Sequence, residues 1–194
     1  MRVISKEALA YFLEEDRVAL NKTRKTPRLI GDEVWRFQIL LRKEEYHFNC
    51  GHKVRAFFYK IARHRLGVRL GFSIPINVFG PGLSIAHYGT VVINKRCIIG
   101  SNCRLHVGVN IGTKAGESGQ AAVIGNNAYI GPGVKIFGKI KLGNDIAVGA
   151  NAVVNKSFPD GNCTIGGVPA KIISSKGSDG LWLKEDEINK LRTI

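Results

Sequence analysis

Five histidines and four cysteines are the side chains of this sequence best suited to chemistry near neutral pH. Imidazole titrates close to pH 6.5, so a histidine can take a proton as a general base and return it as an acid. His47, His52 and His64 lie in a front segment rich in Lys and Arg, where structural or solvated roles are the default. His87 and His106 lie in a glycine-rich body, nineteen residues apart. Cys50, Cys97, Cys103 and Cys163 show no CxxC spacing and are expected as reduced, buried thiols. Zinc hydratase chemistry needs histidines close together on one chain, which His87 and His106 do not supply, so no metal is expected. Carboxylates are unevenly placed: residues 46 to 116 contain no Asp or Glu. An acid that orients His87 must then come from Glu44, Glu45, Glu117, the C-terminal part or a neighbouring subunit.

The chain that carries these groups has 194 residues and a formal net charge of +14, from 29 Lys and Arg against 15 Asp and Glu. Hydrophobic residues at 44% and charged residues at 23% are globular values, which excludes a disordered tail and allows a sizeable core. The charge permits nucleic-acid binding, but the body shows no basic-aromatic recognition motif, and none is expected. No stretch approaches the ~20 apolar residues of a membrane span. Met1 to Leu20 carries Arg2, Lys6, Glu7 and three acids from Glu14 with no apolar secretory core, so a cytoplasmic protein is expected.

Only Gly31, Gly51 and Gly67 of the 23 glycines fall in the first seventy residues, which places a boundary near Leu70. Residues 1–70 read as a helical N-terminal cap, 71–173 as the β body and 174–194 as a C-terminal tail with a short helix. In the cap, Val54, Phe57, Phe58, Ile61 and Leu66 approximate one helical face, with Lys53, Lys60 and Arg63 around it. The expected arrangement packs this face on the body with the basic face in water. The alternative is an amphipathic helix on an anionic membrane.

The body repeats every six residues. Ile93, Ile99, Leu105 and Ile111, then Ile124, Ile130, Ile136, Leu142, Val148 and Val154, keep register, often with glycine next. Smaller residues stand four places on, among them Cys97, Cys103, Val109, Ala128, Val134, Ile140, Ile146 and Ala152. One large and one small inward residue per hexad suits a β-helix of short strands and turns, in which Cys97 and Cys103 belong to the core. Two breaks interrupt the period. Thirteen residues separate Ile111 from Ile124, so Thr113 to Ala122 is expected as an extruded loop. Between Ile85 and Ile93 the register slips by two, and His87 sits inside that slip. His106 follows Leu105 in a regular hexad and should face outward, about one coil from His87.

Gly82-Leu-Ser-Ile-Ala-His87-Tyr-Gly-Thr-Val-Val-Ile-Asn94, Val109-Asn-Ile-Gly112-Thr113, Ile130-Gly-Pro-Gly133, Ile136-Phe-Gly138, Val148-Gly-Ala150 and Gly167-Val-Pro-Ala-Lys171 together resemble the hexapeptide-repeat acyltransferases, in their serine acetyltransferase-like branch. The resemblance covers roughly residues 72 to 173. It implies a mainly β fold, a left-handed parallel β-helix with a short α-helical N-terminal cap, assembled as a homotrimer with acetyl-CoA in the groove between subunits. It implies His87 as general base, Gly112 and Thr113 along the thioester and pantetheine arm, and Pro132 and Ala150 in the groove wall. Lys171, with Lys135 and Lys139, would meet CoA phosphates. Serine-specific relatives carry a longer helical N-terminal region that joins trimers, so this chain is expected to stop at the trimer.

Those relatives also have an acid directly before the base and a histidine in the extruded loop, where this sequence has Ala86 and Gln120-Ala121-Ala122. The expected activity is therefore acetyl transfer to an alcohol, with a sugar hydroxyl of a polysaccharide or its precursor favoured as acceptor. Serine O-acetylation is the alternative, joined to a C-terminal Ile194 of the kind that docks into a partner synthase. The basic cap suits an anionic acceptor or peripheral association with an anionic membrane.

Overall fold

The computed structural model describes residues 2–117, 119, 121–182 and 185–193. Three helices come first: α1 (Lys6–Ala19), α2 (Glu33–Asn49) and α3 (Lys53–Leu70). The Ser5 hydroxyl caps α1 by accepting from the Ala8 N–H at 3.1 Å. Gly71 ends α3 at φ +80, in the left-handed region, where a Cβ would lie 3.0 Å from the Gly89 carbonyl carbon. Both constraints select glycine at the point where helix gives way to coil.

The body is a parallel β-helix with three sheets as its faces. Numbering strands in chain order, the first sheet holds β1 (Phe72–Ser73), β3 (Val91–Ile93), β6 (Asn110–Gly112), β9 (Lys135–Phe137) and β12 (Val153–Val154). The second holds β4 (Ile98–Ile99), β7 (Val123–Ile124) and β10 (Lys141–Leu142). The third holds β2 (Ser84–Ile85), β5 (Arg104–Leu105), β8 (Tyr129–Ile130), β11 (Ala147–Val148), β13 (Thr164–Gly166) and β14 (Lys171–Ser174), the last running antiparallel to its neighbour. A regular coil takes eighteen residues, as Val92 pairing with Asn110 and Lys135 with Val153 show. The C-terminal helix α4 (Glu185–Arg192) returns to α1, where the Leu191 carbonyl accepts from Arg17 at 2.6 Å and Arg192 pairs with Glu15 at 3.0 Å.

The hexad residues fill the interior. All ten large aliphatics are buried, and so are Cys97, Cys103, Val109, Ala128, Val134, Ile140, Ile146 and Ala152. Each fully buried aliphatic contributes about 1.5–3 kcal/mol relative to exposure. Burial pushes the Cys97 thiol up to about 11 and Cys103 to about 12, so both are packing groups and not nucleophiles. The second sheet turns into the third through stacked corners at which Asn102, Asn127 and Asp145 take positive φ, the Asn102 amide donating to Asn127 at 3.0 Å and the Asn127 amide to Asp145 at 2.8 Å.

The open end of the first coil is closed by α2. Phe37 and Leu41 join the β-helix core, and Gln38 exchanges hydrogen bonds with the Leu83 carbonyl and the Ile85 N–H. Arg42 is fully buried and donates to Asp16, Glu45 and the carbonyls of Phe79 and Gly80, at 2.7 to 3.1 Å. Burial works against its charge, but the Asp16 and Glu45 carboxylates more than offset that and hold its pKa above the usual arginine value. One structural carbonyl-and-carboxylate cage thus clamps α1, α2 and the first coil together.

The packing expected of α3 is corrected here. Its inward face is built from Tyr59, Arg63, Leu66, Gly67 and Leu70, with Tyr59 stacked on His47 at 5.1 Å and Arg63 paired to Glu44. Val54, Phe57 and Phe58 face solvent instead, because α3 lies against α2 and only its C-terminal end reaches the body.

Candidate active site

His87 lies on the edge where the third sheet turns into the first. Ile85 pairs with Leu105 twenty residues on, whereas Val92 pairs with Asn110 eighteen on. The two extra residues belong to the corner 86–90, so the register slip seen in the sequence becomes an enlarged turn that lifts His87 out of the packed wall. The ring is exposed and makes no side-chain hydrogen bond among the described residues. Successive corners stack beneath it: the Gly108 N–H donates to the Thr90 carbonyl at 2.7 Å, Gly133 to Val107 at 2.8 Å and Asn151 to Pro132 at 2.8 Å. Pro132 and Ala150 therefore share the His87 edge, both exposed.

Gly112 and Thr113 stand on the next edge, where the first sheet turns into the second. Asn110 pairs with Lys135 twenty-five residues on, seven more than a regular coil, and those seven form the loop between β6 and β7. Lys114 and Glu117 pair across it at 3.1 Å. Of Gln120-Ala121-Ala122, where the resemblance would set a histidine, Ala121 and Ala122 are buried and Gln120 lies outside the described residues, as does Ile194. A Cβ at Gly112 would meet only the Asn110 Oδ1 at 3.8 Å, so the backbone there is open to a close-lying chain of atoms, which suits a pantetheine arm. Within one chain the two edges are separated by a three-residue strand, roughly 10 Å. Lys171 is exposed at the start of β14, on the third sheet, and Lys139 is exposed near the loop edge. Lys135 is exposed on the first sheet and donates to the Gly108 carbonyl.

His106 meets His87 as the spacing allowed, with ring centroids 6.5 Å apart. It is only half exposed, and its Nε2 is buried without a hydrogen-bond partner among the described residues. Burial, then the charges of Arg104 and His87, lowers its pKa, so it is neutral at pH 7. The sequence reading missed what lies beyond it. His106 packs on Tyr129 at 5.1 Å and Tyr129 stacks on Trp182 at 6.0 Å, so four rings form a row across the third sheet. Tyr129 is an outward hexad position and was readable as such; Trp182 comes from the tail, and no local pattern announces its contact.

Two of the carboxylates expected to orient His87 are engaged elsewhere. Glu44 holds Arg63, and Glu45 holds Arg42 and the Asn77 N–H at 2.7 Å. Four cavities open among the described residues with linings that do not include His87. One, of about 270 Å³, opens at the opposite edge of the third sheet between Glu15, Asn127, Asp145, Asp179 and Trp182. The His87 edge is an open surface, with His87, Pro132 and Ala150 all exposed.

No family model matches the chain. It is 34% identical over 99 residues to a serine acetyltransferase of Synechococcus elongatus, covering 50% of this chain and 40% of that protein. It is 38% identical over 99 residues to a serine acetyltransferase of Staphylococcus epidermidis, covering 50% and 46%. The chain thus spans less than half the length of these curated relatives. Among solved structures, the serine acetyltransferase of Brucella abortus superposes with a TM-score of 0.70 at 24% identity, over 89% of this chain and 72% of that one. The same enzyme in complex with coenzyme A gives 0.68 at 25% identity, over 87% and 68%. The chain thus shares its fold with these serine acetyltransferase structures over 87 to 89% of its length.

Proposed function

We propose that the protein is an acetyl-CoA-dependent O-acetyltransferase with His87 as its general base. The observation that carries this is the enlarged corner: the one exposed histidine of the β body stands on a two-residue insertion in line with Pro132 and Ala150, in a chain similar to serine acetyltransferases. As the acceptor oxygen bonds to the acetyl carbonyl carbon, its proton passes to a His87 ring nitrogen. The carbon–sulfur bond then breaks, and the imidazolium returns the proton to the departing CoA thiolate.

The proposal includes a left-handed helix and a homotrimer. His87, Pro132 and Ala150 sit on one edge while Gly112, Thr113 and the extruded loop sit on the next, and three-fold packing brings one copy's first edge against its neighbour's second. Acetyl-CoA lies in that groove, with Lys171 and Lys139 near its phosphates. No described helix is long and apolar enough to cross a membrane, and a cytoplasmic location belongs to the same proposal.

For the acceptor, the names of the relatives favour L-serine over the sugar hydroxyl expected from the sequence. The sugar reading keeps one observation: Glu44 and Glu45 are committed to Arg63 and Arg42, which leaves no described carboxylate beside His87 for an ammonium group. The test is thiol release from acetyl-CoA in the presence of L-serine, simple sugars and nucleotide sugars, with the product identified by mass. Serine turnover well above the sugars establishes the first acceptor; release with none of them, from a protein that light scattering shows to be monomeric, overturns the proposal.

A further inference from the structure

The outward face of α3 is apolar and nothing in the protomer covers it. Val54, Phe57, Phe58 and Val68 are 71, 59, 65 and 68% exposed. At 3.6 residues per turn they fall with Ile61 on one stripe along the helix. Lys53, Lys60 and His64 line one side of that stripe, Arg55 and Arg69 the other, and Arg65 lies within it. None of Lys53, Arg55, Lys60, Arg65 and Arg69 has a carboxylate partner among the described residues, and Arg63, the sixth cation of the helix, turns inward to Glu44. Leaving two adjacent phenylalanines in water serves no folding purpose, since α2 and the β body are already sealed by other residues.

We propose that this face of α3 docks the protein onto an anionic lipid bilayer. The phenylalanines and valines enter the headgroup and upper acyl region while the flanking cations meet phosphate groups at the surface. Charge selects this occupant over a second copy of the chain. Two α3 faces brought together would set five unpaired cations against five, with no Asp or Glu between residues 46 and 116 to relieve them. A lipid surface supplies the missing negative charge and an apolar layer at once. The docked face ends near the His87 edge, because Tyr88 lines the same open groove as Leu66 and Arg69 at the end of α3.

The experiment is vesicle co-sedimentation of the full chain with phosphatidylcholine alone and with phosphatidylcholine and phosphatidylglycerol at roughly three to one. Binding is expected on the mixed vesicles only, and weaker as salt is raised. K60Q/R65Q should weaken it by roughly 25-fold, about fivefold per charge, and F57S/F58S by about a hundredfold. Both variants should keep the circular dichroism spectrum and thiol-release activity, since all four positions face away from the core and from His87. Equal sedimentation with both vesicle types, or none, overturns the proposal. So does an F57S/F58S protein whose lipid binding is unchanged but whose mass by light scattering falls, which would make the stripe a contact between copies.

Discussion

Replacing His87 by alanine separates chemistry from folding with unusual clarity. The ring is exposed and makes no side-chain hydrogen bond among the described residues, so its loss should change stability by no more than about 0.5 kcal/mol. For a domain of this size that is a shift in Tm of about 2 °C or less. Loss of a general base costs about 10²- to 10⁴-fold in rate, or about 2.7–5.4 kcal/mol in the barrier. The lower half of that range is expected, because no described carboxylate orients the ring and only the His106–Tyr129–Trp182 row steadies it. The KM for acetyl-CoA should stay within about twofold, since the proton transfers through His87 belong to the transition state and the ring holds none of the bound thioester in the ground state. A thiol-reactive dye can follow the reaction with little background: Cys97 and Cys103 are buried with raised pKa values, and Cys50 is the most accessible protein thiol. A His87→Ala protein that turns over within about twofold of the parent refutes the assignment. One whose Tm falls by several times the figure above refutes the account of the corner.

Two further outcomes follow from buried charge. Arg42→Ala should destabilise the protein by about 3–5 kcal/mol in urea titration, since it strands Asp16 and Glu45 inside the cap, and Arg42→Met combined with neutral Asp16→Asn and Glu45→Gln should recover much of that loss; equal stability of the single variant and the parent would deny the clamp. Stability should also fall as pH drops below about 6.5. Burial, then His52, Arg55 and Lys43, lowers the pKa of His47, and burial with Arg104 and His87 lowers that of His106. In that window the unfolded chain binds protons that the folded one refuses, so acid favours unfolding, and a urea midpoint that is flat or rises from pH 7 to pH 6 contradicts this.

The β-helix core was legible because an inward side chain must recur at each coil corner and face, and Ile93 through Val154 write that rule directly into the sequence. His87 was legible for the complementary reason: a two-residue slip in a strict period has to be absorbed by a turn, and the turn holds a histidine. The cap was harder to read. Glu44 and Glu45 read as carboxylates free to orient His87, yet both are buried with Arg42 inside the cap, because the partners Asp16, Arg63 and the Phe79 and Gly80 carbonyls are supplied by other segments. The stripe Val54, Phe57, Phe58 has the spacing of a core face, and spacing says only that apolar groups share a side, not which surface meets them. Trp182 reaches Tyr129 across fifty-three residues of sequence, a contact set by how the tail folds back.

Both ends of the coil are finished differently from its middle. A parallel stack offers each new turn the same unpaired backbone, so an unblocked end is a template on which another molecule can continue the column as a fibre. At the far end the chain reverses direction: β14 pairs antiparallel to β13, while the Ala170 N–H donates to the Val153 carbonyl of β12 and the Gly167 carbonyl accepts from the Val153 N–H. A second molecule arriving there meets a strand of the wrong polarity, and at the other end it meets α2 and the Arg42 cage. Growth in length is blocked at both ends, and association is left to the flanks of the prism, where the edges carrying His87 and the loop are found.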